Sequence, residues 1–238
     1  MTQIGRIESK LIIFNHYKLY HLRSAFIGLF FSFYFCSCTP KMFRDLKSAE
    51  GVFTKEKTQL FRPGLKESLV YKTVIKYKER EFSSLTYFNE LNDSVFKIVL
   101  LTTFGNTLLE AEISRNSFNV NNVISYLNRK PILNLFEKDW RLLLAGNFNL
   151  EIPKLYADKQ GETIFNFGTN RRNGLYYYSS EKNALTKIEL YKGQSVRTVV
   201  AVDSIQDSQP ANFSIEHPTL HLKMNFSLLK KVSNETIE

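Results

Sequence analysis

Ser68-Leu-Val-Tyr-Lys-Thr-Val-Ile-Lys-Tyr-Lys78 decides the fold class. Leu69, Tyr71, Thr73, Ile75 and Tyr77 fall on one side of an extended chain; Val70, Lys72, Val74, Lys76 and Lys78 fall on the other. A period of two marks a β-strand. Lysine recurring on one side predicts a sheet with one wet face and one face on a core.

Downstream of this strand the same texture repeats. Runs at Phe82–Leu91, Val95–Thr103, Leu108–Ile113 and Ser117–Val120 are joined by hairpin-sized links such as Asn92-Asp93 and Gly105-Asn106. Asn, Asp and Gly tolerate the positive φ that tight hairpins need, so the links predict an antiparallel meander. The period then changes. Pro131 to Ala145 places Ile132, Leu135, Phe136, Trp140, Leu143 and Leu144 on one side at helical spacing, between a proline suited to a first turn and Gly146. A weaker helix is predicted at Asn122–Leu127.

Strand texture resumes at Asn149–Tyr156, Thr163–Gly168, Leu175–Ser179, Thr186–Tyr191 and Arg197–Ile205, with turn cues at Lys159-Gln160-Gly161, Asn173-Gly174, Lys182-Asn183 and Lys192-Gly193. It ends at Leu220–Leu228, where Leu220, Leu222, Met224, Phe226 and Leu228 alternate with polar residues. The pattern predicts a mainly β (α+β) protein of about eleven strands, in a barrel or sandwich. Composition agrees: 14% aromatic, with 20 Phe and 12 Tyr against 10 Gly, suits a pleated, half-buried surface.

Upstream lies a segment of another kind. Arg23-Ser-Ala-Phe-Ile-Gly-Leu-Phe-Phe-Ser-Phe-Tyr-Phe-Cys-Ser-Cys38 carries no charge after Arg23. Its apolar stretch is short of the roughly 20 residues that span a bilayer and suits the core of a signal peptide. The chain's two cysteines, Cys36 and Cys38, both lie at its end, so neither can staple the body of the chain. Phe35-Cys36-Ser37-Cys38 resembles the lipobox of bacterial lipoproteins, in which the cysteine becomes the lipidated first residue after cleavage. The expected organisation is a signal peptide over residues 1–37, a lipidated tether over 38–62 and a folded domain over 63–238. The six residues after Cys38, Thr-Pro-Lys-Met-Phe-Arg, lack both the acidic cluster that resembles a surface-export signal and the aspartate that resembles an inner-membrane retention signal. The expected place is therefore the periplasmic face of the outer membrane.

Net charge is +9, but no block of five or six like charges occurs. Lysines that alternate with apolar residues make a basic sheet face, suited to anionic headgroups, and nucleic acid is not an expected partner. Chemistry is also missing. No GxSxG, P-loop, dinucleotide fingerprint, HExxH or CxxC is present, so no catalytic residue, metal or cofactor is expected. His217 and His221 are read as one strand, about 13 Å apart and too far to share a metal. Glu137 and Asp139 fall on the polar side of the helix and are read as solvated. Asn170-Arg-Arg-Asn-Gly174 reads as a solvated hairpin tip. Asp93-Ser94-Val95 and Asp203-Ser204-Ile205 resemble an O-glycosylation sequon of some Gram-negative bacteria.

A lipidated cysteine, a tether, strands, an apolar helix and more strands follow the order of a known family. Ser68–Ile113, Phe118–Ile124, Leu133–Leu150 and the ending Ile215 to Phe226 together resemble the LolA/LolB-like periplasmic proteins, which carry lipoproteins to the outer membrane or receive them there. The likeness spans about residues 45–232 and lies in element order, not in a motif. It implies a strongly curved, incomplete antiparallel β-barrel, closed by one or two helices around an apolar cavity for acyl chains. By strand face, the cavity candidates are Leu69, Tyr71, Ile75, Tyr77, Phe96, Ile98, Leu100, Phe165, Phe167, Met224 and Phe226. Ile132, Phe136, Trp140 and Leu143 would form the lid helix. Implied partners are the membrane through Cys38, the acyl chains of a lipoprotein or lipid, and a periplasmic carrier protein. The competing reading is a non-catalytic structural or adaptor lipoprotein with a filled core; a hydrolase has least behind it.

Overall fold

The structure is a computed structural model that describes residues 47–49, 55–61, 67–92, 94–144, 148, 152–157, 162–167, 174–179, 185–193 and 195–233. The leader, Cys38, Asp93 and the tip at Asn170–Asn173 lie outside the described residues. The strands are β1 (Lys47–Ser48), β2 (Glu67–Tyr77), β3 (Arg80–Asn92), β4 (Val95–Thr102), β5 (Thr107–Ser114), β6 (Phe118–Val123), β7 (Lys154–Ala157), β8 (Thr163–Asn166), β9 (Leu175–Ser179), β10 (Leu185–Lys192), β11 (Ser195–Gln206), β12 (Gln209–His217) and β13 (Leu222–Ser233). One α-helix, α1 (Lys130–Leu144), stands between β6 and β7 among the described residues. All pairings are antiparallel, in a single 13-stranded sheet of order β1-β7-β8-β9-β10-β11-β12-β13-β2-β3-β4-β5-β6. The expected mainly β open barrel is what forms, with thirteen strands among the described residues where the pattern predicts about eleven. Among the described residues the two end strands of the order, β1 and β6, do not pair with each other, so the barrel they form is incomplete.

Turn chemistry sets the meander. Gly105 and Gly193 take positive φ in the β4–β5 and β10–β11 turns. Asp207 and Ser208, both at positive φ, join β11 to β12 in the two-residue geometry that matches strand twist. His221 takes the left-handed conformation after a 3-10 turn at Pro218–Leu220. The histidine pair therefore straddles a hairpin and does not lie along one strand as expected. Among the described residues no group of three or more His, Cys, Asp or Glu is placed to hold a metal.

The sheet is strongly rolled, and α1 shows by how much. His217 of β12 shares a row with Leu222, Tyr77 and Arg80; Ser114 of β5 shares one with Val95 and Asn92. Arg80 and Asn92 are twelve residues apart on β3. In a flat sheet His217 and Ser114 would be about 40 Å apart along the strands and about 24 Å across them. Yet two residues of one helical turn reach both. Asp139 meets His217 Nε2 at 2.9 Å, and Arg141 Nη1 donates to the Ser114 and Arg115 carbonyls at 2.7 and 2.8 Å. Only a sheet curled around the helix brings those corners together.

The core lies between the sheet's inner face and α1. Leu69 and Tyr71 of β2, Phe88 of β3, Phe96, Ile98 and Leu100 of β4, and Leu109, Ala111 and Ile113 of β5 alternate into it, with Trp140, Leu143 and Leu144 from the helix. Two boundaries differ from expectation. The folded unit begins before residue 63, since β1 pairs with β7 and Leu60 and Phe61 are buried in the core, so the tether read over 38–62 is partly domain. Asn122–Leu127 is no helix: β6 runs to Val123, and a turn follows in which the Leu127 and Asn128 amides donate to the Ile124 carbonyl.

Candidate functional site: the concave face and its mouth

The cavity candidates share the inner face, as their strand parity predicts. Leu69, Tyr71, Phe96, Ile98, Leu100, Phe165, Met224 and Phe226 are buried in one cluster, and Ile75 and Phe167 pack half-buried against it. Tyr77 is on the same face but 44% exposed at the end of β2. Of the lid residues, Trp140 and Leu143 are buried, while Ile132 and Phe136 are half-buried. Trp140 packs on Phe136 and on Phe118 of β6, with ring centroids 5.3 and 5.9 Å apart.

One end of this face is filled. Phe61, Tyr71, Phe88, Phe213 and Phe226 form a block of mostly edge-to-face rings, with Phe213 stacked on Phe226 at 4.4 Å. Such pairs add to the burial of large apolar area. Tyr71 keeps its hydroxyl satisfied by donating to the Pro210 carbonyl at 2.7 Å, and burial pushes its phenol far above the usual tyrosine range. Beside the block runs a polar rung: Thr73 and Thr86 share a hydroxyl hydrogen bond of 2.7 Å, and Ser84 Oγ donates to the Thr73 carbonyl.

A second polar cluster went unread in the sequence. Asp139 is 1% exposed, contrary to the expectation of a solvated side chain; Glu137, half-buried, pairs instead with Arg141 at 2.9 Å. Asp139 Oδ2 meets His217 Nε2, and His217 Nδ1 lies 3.3 Å from Thr198 Oγ1. Burial raises the Asp139 carboxyl above the ordinary aspartate range, opposed by the hydrogen bond and charge of His217 and by the charge of Lys138. The members are those of a nucleophilic triad, but a nucleophile must meet its substrate, and Thr198, His217 and Asp139 are all buried. The cluster cross-links α1 to β11 and β12.

The β2–β3, β4–β5, β10–β11 and β12–β13 hairpins are among those that turn at the edge we call the mouth. Apolar side chains there do not stop where the core stops. Met224, Ile75 and Phe82 occupy one row of the inner face. Exposure climbs along it, from buried Met224 through half-buried Ile75 to Phe82 at 54%. Phe82 and Phe104 stand two residues beyond the last β3–β4 partners on that face, Ser84 and Thr102, and Phe104 is 92% exposed. Strand parity alone could have found Phe82; Phe104 stands in a turn, where parity has no meaning.

No protein-family model matches the sequence, and no curated protein matches it significantly. Among solved structures, a LolA superfamily protein from Nitrosomonas europaea aligns with a TM-score of 0.51 at 10% identity, over 74% of this chain and 90% of that one. A DUF1329 family protein from Desulfovibrio piger aligns at 0.45 with 7% identity, over 74% of this chain and 89% of that one. An outer membrane lipoprotein-sorting protein domain from Vibrio parahaemolyticus aligns at 0.44 with 8% identity, over 77% and 91%. The open, rolled antiparallel sheet of this chain, with one helix set into its concave side, is a LolA-like fold.

Proposed function

We propose that this chain is an envelope lipoprotein that holds the acyl chains of a lipoprotein or lipid against its concave face, without chemistry, and acts in lipid or lipoprotein transport at the periplasmic face of the outer membrane. One observation carries the reading. The inner face stays apolar past the point at which the described chain covers it, along Met224, Ile75, Phe82 and Phe104. Acyl chains suit such a surface, since each buried CH₂ is worth about 0.8 kcal/mol. The LolA-like fold supports the same reading. Cys38 would carry the anchoring lipid, Ile132, Phe136, Trp140 and Leu143 would line the covering helix, and a periplasmic carrier protein would be the exchange partner.

The aromatic block favours a second reading at its own end: a filled core in an adaptor that works through protein contacts. A photoactivatable fatty acid separates the two. Crosslinked to the full chain and mapped by peptide mass spectrometry, it should label β2, β3, β4 and β13. Labelling confined to the Arg23–Cys38 segment would sink the acyl-binding reading and leave the adaptor.

A further inference from the structure

We propose that the mouth is a docking face for an anionic lipid bilayer, on which the hairpin tips seat so that the concave face opens towards the lipid. This deepens the acyl-binding reading by giving the cargo a route that avoids water. Tyr77, Phe82, Phe104 and Leu220, from three different hairpins, are 44%, 54%, 92% and 47% exposed. Exposed aromatics brought together from separate turns mark an interaction surface, whereas scattered ones are ordinary.

Charge selects the partner. Of the exposed ions at these tips, Lys76 pairs with Glu81 at 3.1 Å, and Lys223 lies 3.8 Å from Glu216. Lys78, Arg80, Lys192 and Arg197 remain against Glu79, an excess of three positive charges. Lys78 lies over the Tyr77 ring at 5.5 Å, so the aromatic surface and the cation present together. Aromatic rings that settle at headgroup depth, flanked by lysine and arginine, are the pairing that favours anionic bilayer surfaces. A protein partner would meet the same rings but would not need the surplus cations. The β2–β3 hairpin is exposed on both faces from Lys76 to Ser83, so its tip side chains can enter an interface without unfolding the body.

The test uses the full chain with Cys36→Ser and Cys38→Ser and one new cysteine, Phe104→Cys at the mouth or Ser94→Cys at the opposite end, each carrying an environment-sensitive fluorophore. Vesicles of phosphatidylcholine with phosphatidylglycerol should blue-shift and brighten the label at position 104 and leave the label at 94 in water. Phosphatidylcholine alone should give a smaller response. Lys78→Glu with Arg80→Glu should weaken the response to anionic vesicles at least about thirtyfold, and Phe82→Ser should reduce it in both. A label at 104 that stays in water while the protein sediments with vesicles overturns the proposal, since the leader alone would then carry the binding. So does an equal response from position 94. Fatty-acid crosslinks on the inner strands without a response at 104 would refute the docking face and leave acyl binding standing; the converse result would refute acyl binding alone.

Discussion

Replacing His217 with leucine tests whether the cross-link between helix and sheet does what its geometry requires. The substitution removes the partner of a carboxyl that is 1% exposed and takes away its 2.9 Å hydrogen bond. Breaking a buried pair by deleting one member costs about 3–5 kcal/mol, because the other charge is left uncompensated. For a domain of this size the urea dependence is about 2–3 kcal/mol per M, so the midpoint should fall by about 1–2 M. Trp140 is the single tryptophan and sits beside Asp139 in α1, so its fluorescence follows the disturbed site directly. The Asp139→Leu/His217→Leu double variant should recover most of the loss, since removing both members of a buried pair is often neutral. Acidity supplies an independent readout. The folded Asp139 carboxyl titrates above its unfolded value of 3.8, so the folded state holds its proton longer than the unfolded state. Stability therefore falls as pH rises from about that value through the raised one, and Asp139→Asn should abolish that decline. A His217→Leu variant within about half a kcal/mol of the parent, or a double variant no better than the single, would refute the cross-link.

Two further outcomes follow from the aromatic block. Phe61→Ala should cost about 3–5 kcal/mol in the same urea assay, as expected for a fully buried ring and not for a residue in a tether. Tyr71→Phe should cost about 1–2 kcal/mol by stranding the Pro210 carbonyl; in an alkaline spectrophotometric titration of the parent chain, Tyr71 should stay silent until the protein unfolds.

Most of the sheet was legible because alternation is a local property. In β2 to β5 each residue's face follows from its neighbours two away, whereas the pairing of Leu69 with Phe88 or Phe96 with Ile113 is set by the turns between them. The first part of strand β12, Gln209 to Ser214, escaped notice because Pro210 and Asn212 weaken its texture and its turn, Asp207-Ser208, lacks the glycine or asparagine that advertises a hairpin. Asp139 escaped for a different reason. A helical wheel sorts side chains by the helix's own faces, and nothing in residues 130–144 announces a histidine 78 positions later that the sheet's curl delivers to the same turn. The mouth was half-legible: Tyr77 was on the correct face, but only the three-dimensional gathering of hairpins shows that Phe82, Phe104 and Leu220 continue it.

The concave face thus has a stiff end and an open end, and Phe61 is where the difference becomes measurable. Its ring lies 4.9 Å from Phe88 and 6.0 Å from Phe213, contributed by a segment that enters the core from before β2. A chain of about sixteen CH₂ groups gains roughly 13 kcal/mol on full burial, well above the about 3–5 kcal/mol that removing such a ring costs. A long acyl chain therefore has enough driving force to push Phe61 aside, whereas a short one does not. If the ligand reaches past the Thr73–Thr86 rung, Phe61→Ala frees its space in advance, and long fatty acids should bind the variant more tightly than the parent even though the variant is less stable. If the ligand stays on the mouth side of the rung, along Ile75 and Phe82, affinity should be the same in both proteins for every chain length. The sign of that one difference tells how deep the site runs.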